Sequence, residues 1–189
     1  MRLAFDIEAD NLNRKLTKIH CIVARDLDTG EVFKYSPSGI TRGLALLETA
    51  TELWAHNGVG YDIPAIRELY PAFRPSGLVR DTLILSRLFF TDILDRDFRS
   101  KPANMPANLY GRHSLESWGY RLGVLKSEYG KSLNGDWSQY TAEMLEYCAK
   151  DVDVLAQLVK LFEPKLDQYK ACIDTEHRIA ELIDRKSVV

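Results

Sequence analysis

Asp6 and Glu8 stand two residues apart in Arg2-Leu-Ala-Phe-Asp-Ile-Glu8, a stretch whose apolar side chains alternate as they do along a strand. That spacing puts both carboxylates on one face, with Cα atoms about 6.5–7 Å apart. Two acids held so close repel unless a proton or a cation intervenes, and an all-oxygen donor set suits magnesium or manganese. The plain alternative is a solvated strand face. Asp-x-Glu alone is a weak signal, since average composition yields about one match by chance in a chain of this length. A second match, Asp174-Thr175-Glu176, lies in a helical segment, where residues two apart point about 200° away from one another.

Two further groups add acids in contexts that could aim them. In His56-Asn57-Gly58-Val59-Gly60-Tyr61-Asp62 a short apolar strand breaks at two glycines and delivers Asp62 to a helix start. Glycines there permit close backbone approach, and a helix N-terminus turns its N–H groups toward a phosphate. Equally, Asp62 could serve only as the cap of that helix. His56 has no partner at zinc-ligand spacing and reads as structural. In Tyr147-Cys148-Ala149-Lys150-Asp151 the spacing of four places the Tyr147 hydroxyl and the Asp151 carboxylate on one side of a helix. A surface Tyr–Asp hydrogen bond would use the same geometry. Asp153 points elsewhere and reads as solvated.

The elements that carry these residues are legible from periodicity and breakers. Residues 2–8, 19–25, 31–35 and 53–56 read as strands, with Asp28-Thr29-Gly30 as a hairpin turn. Helices are expected over 41–50, from Asp62 with Pro64 in the first turn, over 81–90, and from Ser114 to Gly123. The clearest helix runs from Thr141 to Glu163, where Met144, Leu145, Cys148, Val152, Leu155, Val159 and Phe162 recur at steps of three or four. A last amphipathic segment covers 173–186. Residues 95–112, with Pro102, Pro106 and the cations Arg96, Arg99, Lys101 and Arg112, read as a long, mobile, locally basic loop suited to phosphate contacts. Antiparallel strands followed by strands interleaved with helices imply a mixed α/β layered domain, and no G-x-G-x-x-G opens a helix.

Composition narrows the function classes. At 189 residues with 46% hydrophobic and 28% charged, the chain is long enough for one self-sufficient core. The 25 basic and 27 acidic residues leave a net charge of −2, which excludes a basic nucleic-acid coat but not an enzyme that grips a few nucleotides locally. No apolar run is long enough for a membrane span, so no membrane partner is expected. The three cysteines, Cys21, Cys148 and Cys172, form no C-x-x-C pair, and the expectation is a reduced, cytoplasmic setting.

Asp-x-Glu on the first strand, Asn-x-x-x-Tyr-Asp after a middle strand and Tyr-x-x-x-Asp on a late helix come in the order of the DEDD exonucleases. With Asp6-Ile7-Glu8-Ala9, His56-Asn57-Gly58, Asp81-Thr-Leu-Ile-Leu-Ser-Arg-Leu88 and His113-Ser-Leu-Glu-Ser-Trp-Gly-Tyr-Arg-Leu-Gly123, the chain resembles the proofreading 3′–5′ exonuclease domain of family A DNA polymerases, above all that of T-odd-type bacteriophages. The resemblance spans Leu3 to about Phe162. It implies an RNase H-like, DnaQ-like fold with a mixed sheet of about five strands flanked by helices. It also implies Asp6, Glu8, Asp62 and Asp151 as ligands of two divalent ions, Mg2+ with Mn2+ as substitute, with Asp6 bridging and Tyr147 orienting the attacking water. Asn57 and Tyr61, together with Arg96, Arg99 and Lys101, become candidate contacts to single-stranded DNA or a 3′ primer end. Ala9 stands where the wider family often has Thr, which removes one side-chain contact to the terminal nucleotide.

The expected organisation is an exonuclease domain over 1–170 and a helical tail over 171–189 that resembles the junction to a polymerase domain. The chain would then be either a domain of a longer polymerase or a stand-alone enzyme working with a polymerase subunit, in the host cytoplasm if the source is a phage. Two other readings are an RNA 3′-trimming relative such as RNase D or RNase T, and a non-catalytic module that holds DNA or a polymerase. The presence of all four carboxylates weighs against the last.

Overall fold

The structure, a computed structural model, describes residues 1–11, 16–124 and 137–186. Alternation in β1 (Arg2–Ala9) serves two buried faces. Leu3, Phe5, Ile7 and Ala9 enter one core cluster, beneath α1 (Ile40–Thr49) and α2 (Asp62–Leu69); Ala4 enters a second, on the side covered by α3 (Thr82–Phe89), α5 (Leu115–Leu122) and α6 (Ala142–Phe162). Asp6 and Glu8 share the face of Ala4, so the two acids point toward the α6 side of the sheet. β2 (Ile19–Asp26) runs antiparallel to β1, with Asp6 opposite Val23 and Glu8 opposite Cys21, and β3 (Val32–Tyr35) antiparallel to β2. β4 (Glu52–Ala55) and β5 (Leu78–Asp81) add in parallel, giving among the described residues a five-stranded sheet in the order β3-β2-β1-β4-β5. The expected mixed α/β architecture is what the chain forms.

Local chemistry accounts for the helix ends. Thr141 Oγ1 accepts the Met144 N–H at 3.2 Å, Ser114 Oγ accepts the Ser117 N–H at 3.2 Å, and Gly123 closes α5 at φ 70°. Along α6 the apolar stripe read from sequence is buried except for the half-buried Leu145: Met144, Cys148, Val152 and Phe162 are each 0% exposed. Each such side chain contributes about 1.5–3 kcal/mol of burial, which outweighs any propensity term in fixing where the helix lies. α7 (Lys170–Lys186) begins three residues before the expected 173, and its Ile173 packs into the second core cluster. Residues 187–189 of the expected tail lie outside the described residues. No helix among the described residues is long and apolar enough to cross a membrane, and the three cysteines are free thiols.

Three expectations need correction. Asp81 does not open a helix. It ends β5, a four-residue strand too short to show alternation, and its carboxylate caps α3 by accepting the Leu83 N–H at 2.8 Å. Asp153 is not merely solvated, since it pairs with Arg25 at 2.6 Å. The loop expected over 95–112 is instead α4 (Ile93–Ser100), then a 3₁₀ turn at Ala107–Leu109. Asp97, 1% exposed, pins it from within: the carboxylate accepts the Gly111 N–H at 2.8 Å and both prongs of Arg121 at 2.8 and 2.7 Å. Arg96 pairs with Asp92 one turn back at 2.7 Å, and Arg99 reaches the same acid at 3.7 Å.

Removing one partner of a buried pair strands the other, at about 3–5 kcal/mol. Asp97→Ala should therefore lower the unfolding free energy by that amount in urea titration. A loss under about 1 kcal/mol would mean that water reaches Arg121, whose side chain is only 9% exposed in the fold.

Candidate active site

β1 outruns its parallel neighbour. Pairing with β4 stops at Ala4 opposite Trp54, and β4 itself ends at Ala55. Beyond that point the carboxylate of Asp62 accepts the backbone N–H of Ile7, the residue between Asp6 and Glu8. Asp62 is 3% exposed, and Asp6 and Glu8 are half-buried. From the other side α6 brings in Cys148, whose thiol donates to the Asp6 carbonyl and to Asp6 Oδ2, both at 3.4 Å. One ligand atom each from Asp6, Glu8 and Cys148 lie within 4.8 Å of one another. Asp151, 6% exposed, follows Cys148 by one helical turn, and Tyr147 precedes Asp151 by four residues on the adjoining surface of α6. The Tyr147 ring meets Trp137 edge-on at 6.2 Å.

The turn that aims Asp62 depends on Asp81. Oδ1 of Asp81 accepts the Asn57 N–H at 3.0 Å and Oδ2 accepts that of Val59 at 3.0 Å. Asn57 sits at φ 68°, a left-handed conformation that only glycine adopts freely. At Gly58 a Cβ would stand 2.4 Å from Ala55 Cβ, so no larger residue fits. The Asn57 carbonyl accepts the Tyr61 N–H at 2.8 Å and the Gly58 carbonyl that of Ile63 at 2.9 Å, which starts α2. Asp62 is the first residue of α2, and Tyr61 holds the capping position without a side-chain cap bond. Asp62 is therefore not the N-cap of α2, and the nearby acid that does cap a helix, Asp81, caps α3. His56 is structural, its Nδ1 meeting Thr82 Oγ1 at 2.9 Å while Thr82 donates to the Ala55 carbonyl at 3.1 Å.

Electrostatics single out Asp62. Burial, and then the charge of Asp81, push its carboxyl up to about 7 from the usual 3.8. Its Oδ1 is buried and meets no hydrogen-bond donor among the described residues. Burial, followed by the charges of Asp62, Glu8, Asp6 and Asp10, also raises the Tyr61 phenol, whose hydroxyl donates to the Asn11 carbonyl at 2.9 Å. Burial first, then Cys21 and Asp6, raise the Cys148 thiol well above its ordinary range, so it acts as a donor to Asp6. Half-buried and buried carboxylates, with a buried unsatisfied oxygen on Asp62, form a donor set that fits a hard divalent cation.

Of the residues singled out in the sequence, Asp6, Glu8 and Asp62 converge on the end of β1, with Asp151 and Tyr147 on the helix that touches Asp6. Asn57 and Tyr61 form the adjacent turn. Arg96 and Arg99 on α4, and Lys101 at its left-handed end with φ 48°, do not belong to the carboxylate cluster. Two contributors escaped the sequence. Cys148 reads there as one more apolar position of α6, and Asp81 as part of a helix. An acid directly before a run of helix formers is a cap signal that would have exposed Asp81.

No model of a known protein family matches the chain. By sequence it is 32% identical, over 97% of its length, to the DNA-directed DNA polymerase of Enterobacteria phage T3, and 31% identical, over 96%, to that of Escherichia phage T7. The chain spans about a third of each relative, 32%. Among solved structures it superposes on a nuclease in its apo form with a TM-score of 0.63 at 21% identity, covering 96% of this chain and 83% of that one. It also superposes on Escherichia coli RNase D, an exoribonuclease involved in structured RNA processing, with a TM-score of 0.60 at 16% identity, covering 97% and 44%. The fold is therefore the RNase H-like fold of the DnaQ-type exonucleases. Within that class the chain is a relative of the T3- and T7-type phage DNA polymerases, similar to about a third of each, as its motifs suggested.

Proposed function

We propose that the chain is a 3′–5′ exonuclease that hydrolyses the terminal phosphodiester of single-stranded or mismatched DNA ends and releases nucleoside 5′-monophosphates. The observation that carries this reading is Asp62, buried with an unsatisfied oxygen and hydrogen-bonded to the N–H between Asp6 and Glu8. Asp6, Glu8, Asp62 and Asp151 would hold two divalent ions, Mg2+ or Mn2+, which when bound supply water activation and neutralise charge on the scissile phosphate. Asp6 and Glu8, the half-exposed members, lie where that phosphate would enter. Tyr147, four residues before Asp151, orients the attacking water through its hydroxyl. The Asn57–Gly60 turn lets backbone approach the last nucleotide. Because the Tyr61 hydroxyl is committed to Asn11, only its ring is left to meet a base. A polymerase domain or subunit is the partner, and the host cytoplasm the compartment, that this reading implies.

Reaching such a site requires the terminal nucleotides to leave the duplex, at a few kcal/mol per base and less where a pair is mismatched. Initial rates on substrates sharing one 3′ sequence should fall in the order single-stranded, mismatched, paired, and vanish in excess EDTA. Faster digestion of the paired end, or of a matched RNA, would replace this reading with a duplex-processing or RNA-trimming one.

α4 presents Arg96, Arg99 and Lys101 beside Phe98, which is 61% exposed and edge-on to Tyr110 at 5.5 Å. Cations next to a ring suit the phosphates and bases of an entering strand. Replacing the three cations by Ala should raise KM for single-stranded DNA and flatten its salt dependence by roughly two phosphate contacts, since Asp92 already offsets part of the charge. Unchanged KM and salt slope would remove α4 from the DNA path.

A further inference from the structure

We propose that His177 on α7 is a positioning residue for the carboxylate cluster, acting on Asp62 through Asp81 and the Asn57–Val59 turn. The inference rests on the exonuclease reading of that cluster. His177 Nδ1–H donates to the Ile173 carbonyl at 2.9 Å, one turn back on α7, which leaves Nε2 as an acceptor. Nε2 accepts the backbone N–H of Asp81 at 2.9 Å, across 96 residues of sequence. Asp81 is the last residue of β5, an outer strand of the sheet, and its carboxylate holds the N–H groups of Asn57, Val59 and Leu83.

Each link constrains the next. His177 fixes the backbone from which the Asp81 carboxylate projects. That carboxylate holds the turn in which Asn57 is kept left-handed. The same turn supplies the Gly58 carbonyl that receives the Ile63 N–H, so the first turn of α2, with Asp62 in it, is built on it. Asp62 must reach both Ile7 and a bound ion from a buried position, so a small shift of the turn is felt at the ion. Groups that orient metal ligands in this way typically change metal affinity or activity 10–100-fold when lost. Along the part of α7 around it, Ile173 is buried and His177 and Ala180 are half-buried while Asp174, Thr175, Glu176, Arg178 and Ile179 are exposed, so His177 lies on the face that the helix turns toward the rest of the fold.

The test compares the full chain with His177→Leu, which removes both hydrogen bonds, and His177→Asn, which keeps a donor for Ile173 but cannot reach Asp81. His177→Gln puts a side-chain oxygen near the position of Nε2, and Lys170→Ala, which breaks an exposed pair with Asp174, is the control. Three quantities are read: Mn2+ affinity by titration calorimetry, hydrogen exchange of the Asn57 and Val59 amides in metal-free protein, and the Mg2+ concentration for half-maximal hydrolysis. Expected for His177→Leu and His177→Asn are Mn2+ binding weakened 10–100-fold and faster exchange at both amides, with His177→Gln restored toward wild type and Lys170→Ala unchanged. Unaltered Mn2+ affinity and exchange in His177→Asn would overturn the proposal, and so would His177→Gln behaving like His177→Asn; this pair decides even if His177→Leu does not fold. Wild-type protein that binds Mn2+ yet hydrolyses no DNA would overturn the exonuclease reading instead, while the calorimetric and exchange results still judge His177.

Discussion

Asp6→Ala and Asp151→Ala should each lower the rate of single-stranded DNA hydrolysis in saturating Mg2+ by at least about 10²–10³-fold, the loss expected when a preorganised charge-stabilising group is removed from a reacting centre. Asp6 carries the larger expectation. It is half-exposed, it lies with Glu8 within the 4.8 Å cluster, and its carboxylate is held by the Cys148 thiol, so no neighbouring acid can take its place. Neither substitution should unfold the protein. Removing an acid from a crowded cluster relieves like-charge repulsion in the metal-free state, so thermal stability in EDTA should hold or rise. Tyr147→Phe should be milder, about 10–100-fold, because under the proposed function it removes one orienting hydroxyl and leaves every carboxylate in place. Single-turnover rates alongside melting curves make the comparison. Equal losses in Tyr147→Phe and Asp6→Ala would mean that these roles are wrongly assigned.

The second large effect is on stability against pH and centres on Asp62. Its folded-state carboxyl is raised from 3.8 to about 7 by burial and by Asp81, so the folded protein binds this proton more tightly than the unfolded chain does. The contribution of Asp62 is therefore fully present below pH 3.8 and is lost as pH rises toward 7, where the unfolded chain has already given up its proton. Metal-free wild type should weaken relative to Asp62→Asn between about pH 4 and 7, leaving the variant more stable by ~1–3 kcal/mol at pH 8. Saturating Mg2+ should reverse that ranking at pH 8, because the cation supplies the charge that the buried carboxylate lacks. Urea unfolding of both proteins at pH 5 and pH 8, each in EDTA and in Mg2+, reads all four cases. A wild-type advantage at pH 8 in EDTA would show that Asp62 is ionised at no cost, and that its burial is better compensated than the fold suggests.

Much of this architecture was legible in the chain because it is written in short-range periodicity. Alternation over residues 2–8 defined β1 and the shared face of Asp6 and Glu8. The steps of three and four from Met144 to Phe162 defined α6 and put Tyr147 beside Asp151. Ser114, Thr141 and Gly123 marked helix ends through bonds to residues three or four positions away. The order of the three acidic motifs was enough to suggest the exonuclease fold.

Folding supplied the links between polar groups far apart in sequence. Asp97 meets Arg121 across 24 residues and turns an expected loop into α4; Cys148 reaches Asp6 across 142, and His177 reaches Asp81 across 96. Periodicity reports which face of an element is buried, because burial repeats with the geometry of helix or strand. A single hydrogen bond between two polar side chains or a side chain and a distant backbone has no period, and its partner is chosen only once the helices have packed on the sheet. The carboxylates could thus be named from the chain, while what aims them, and the unsatisfied oxygen left on Asp62, belong to the packed molecule.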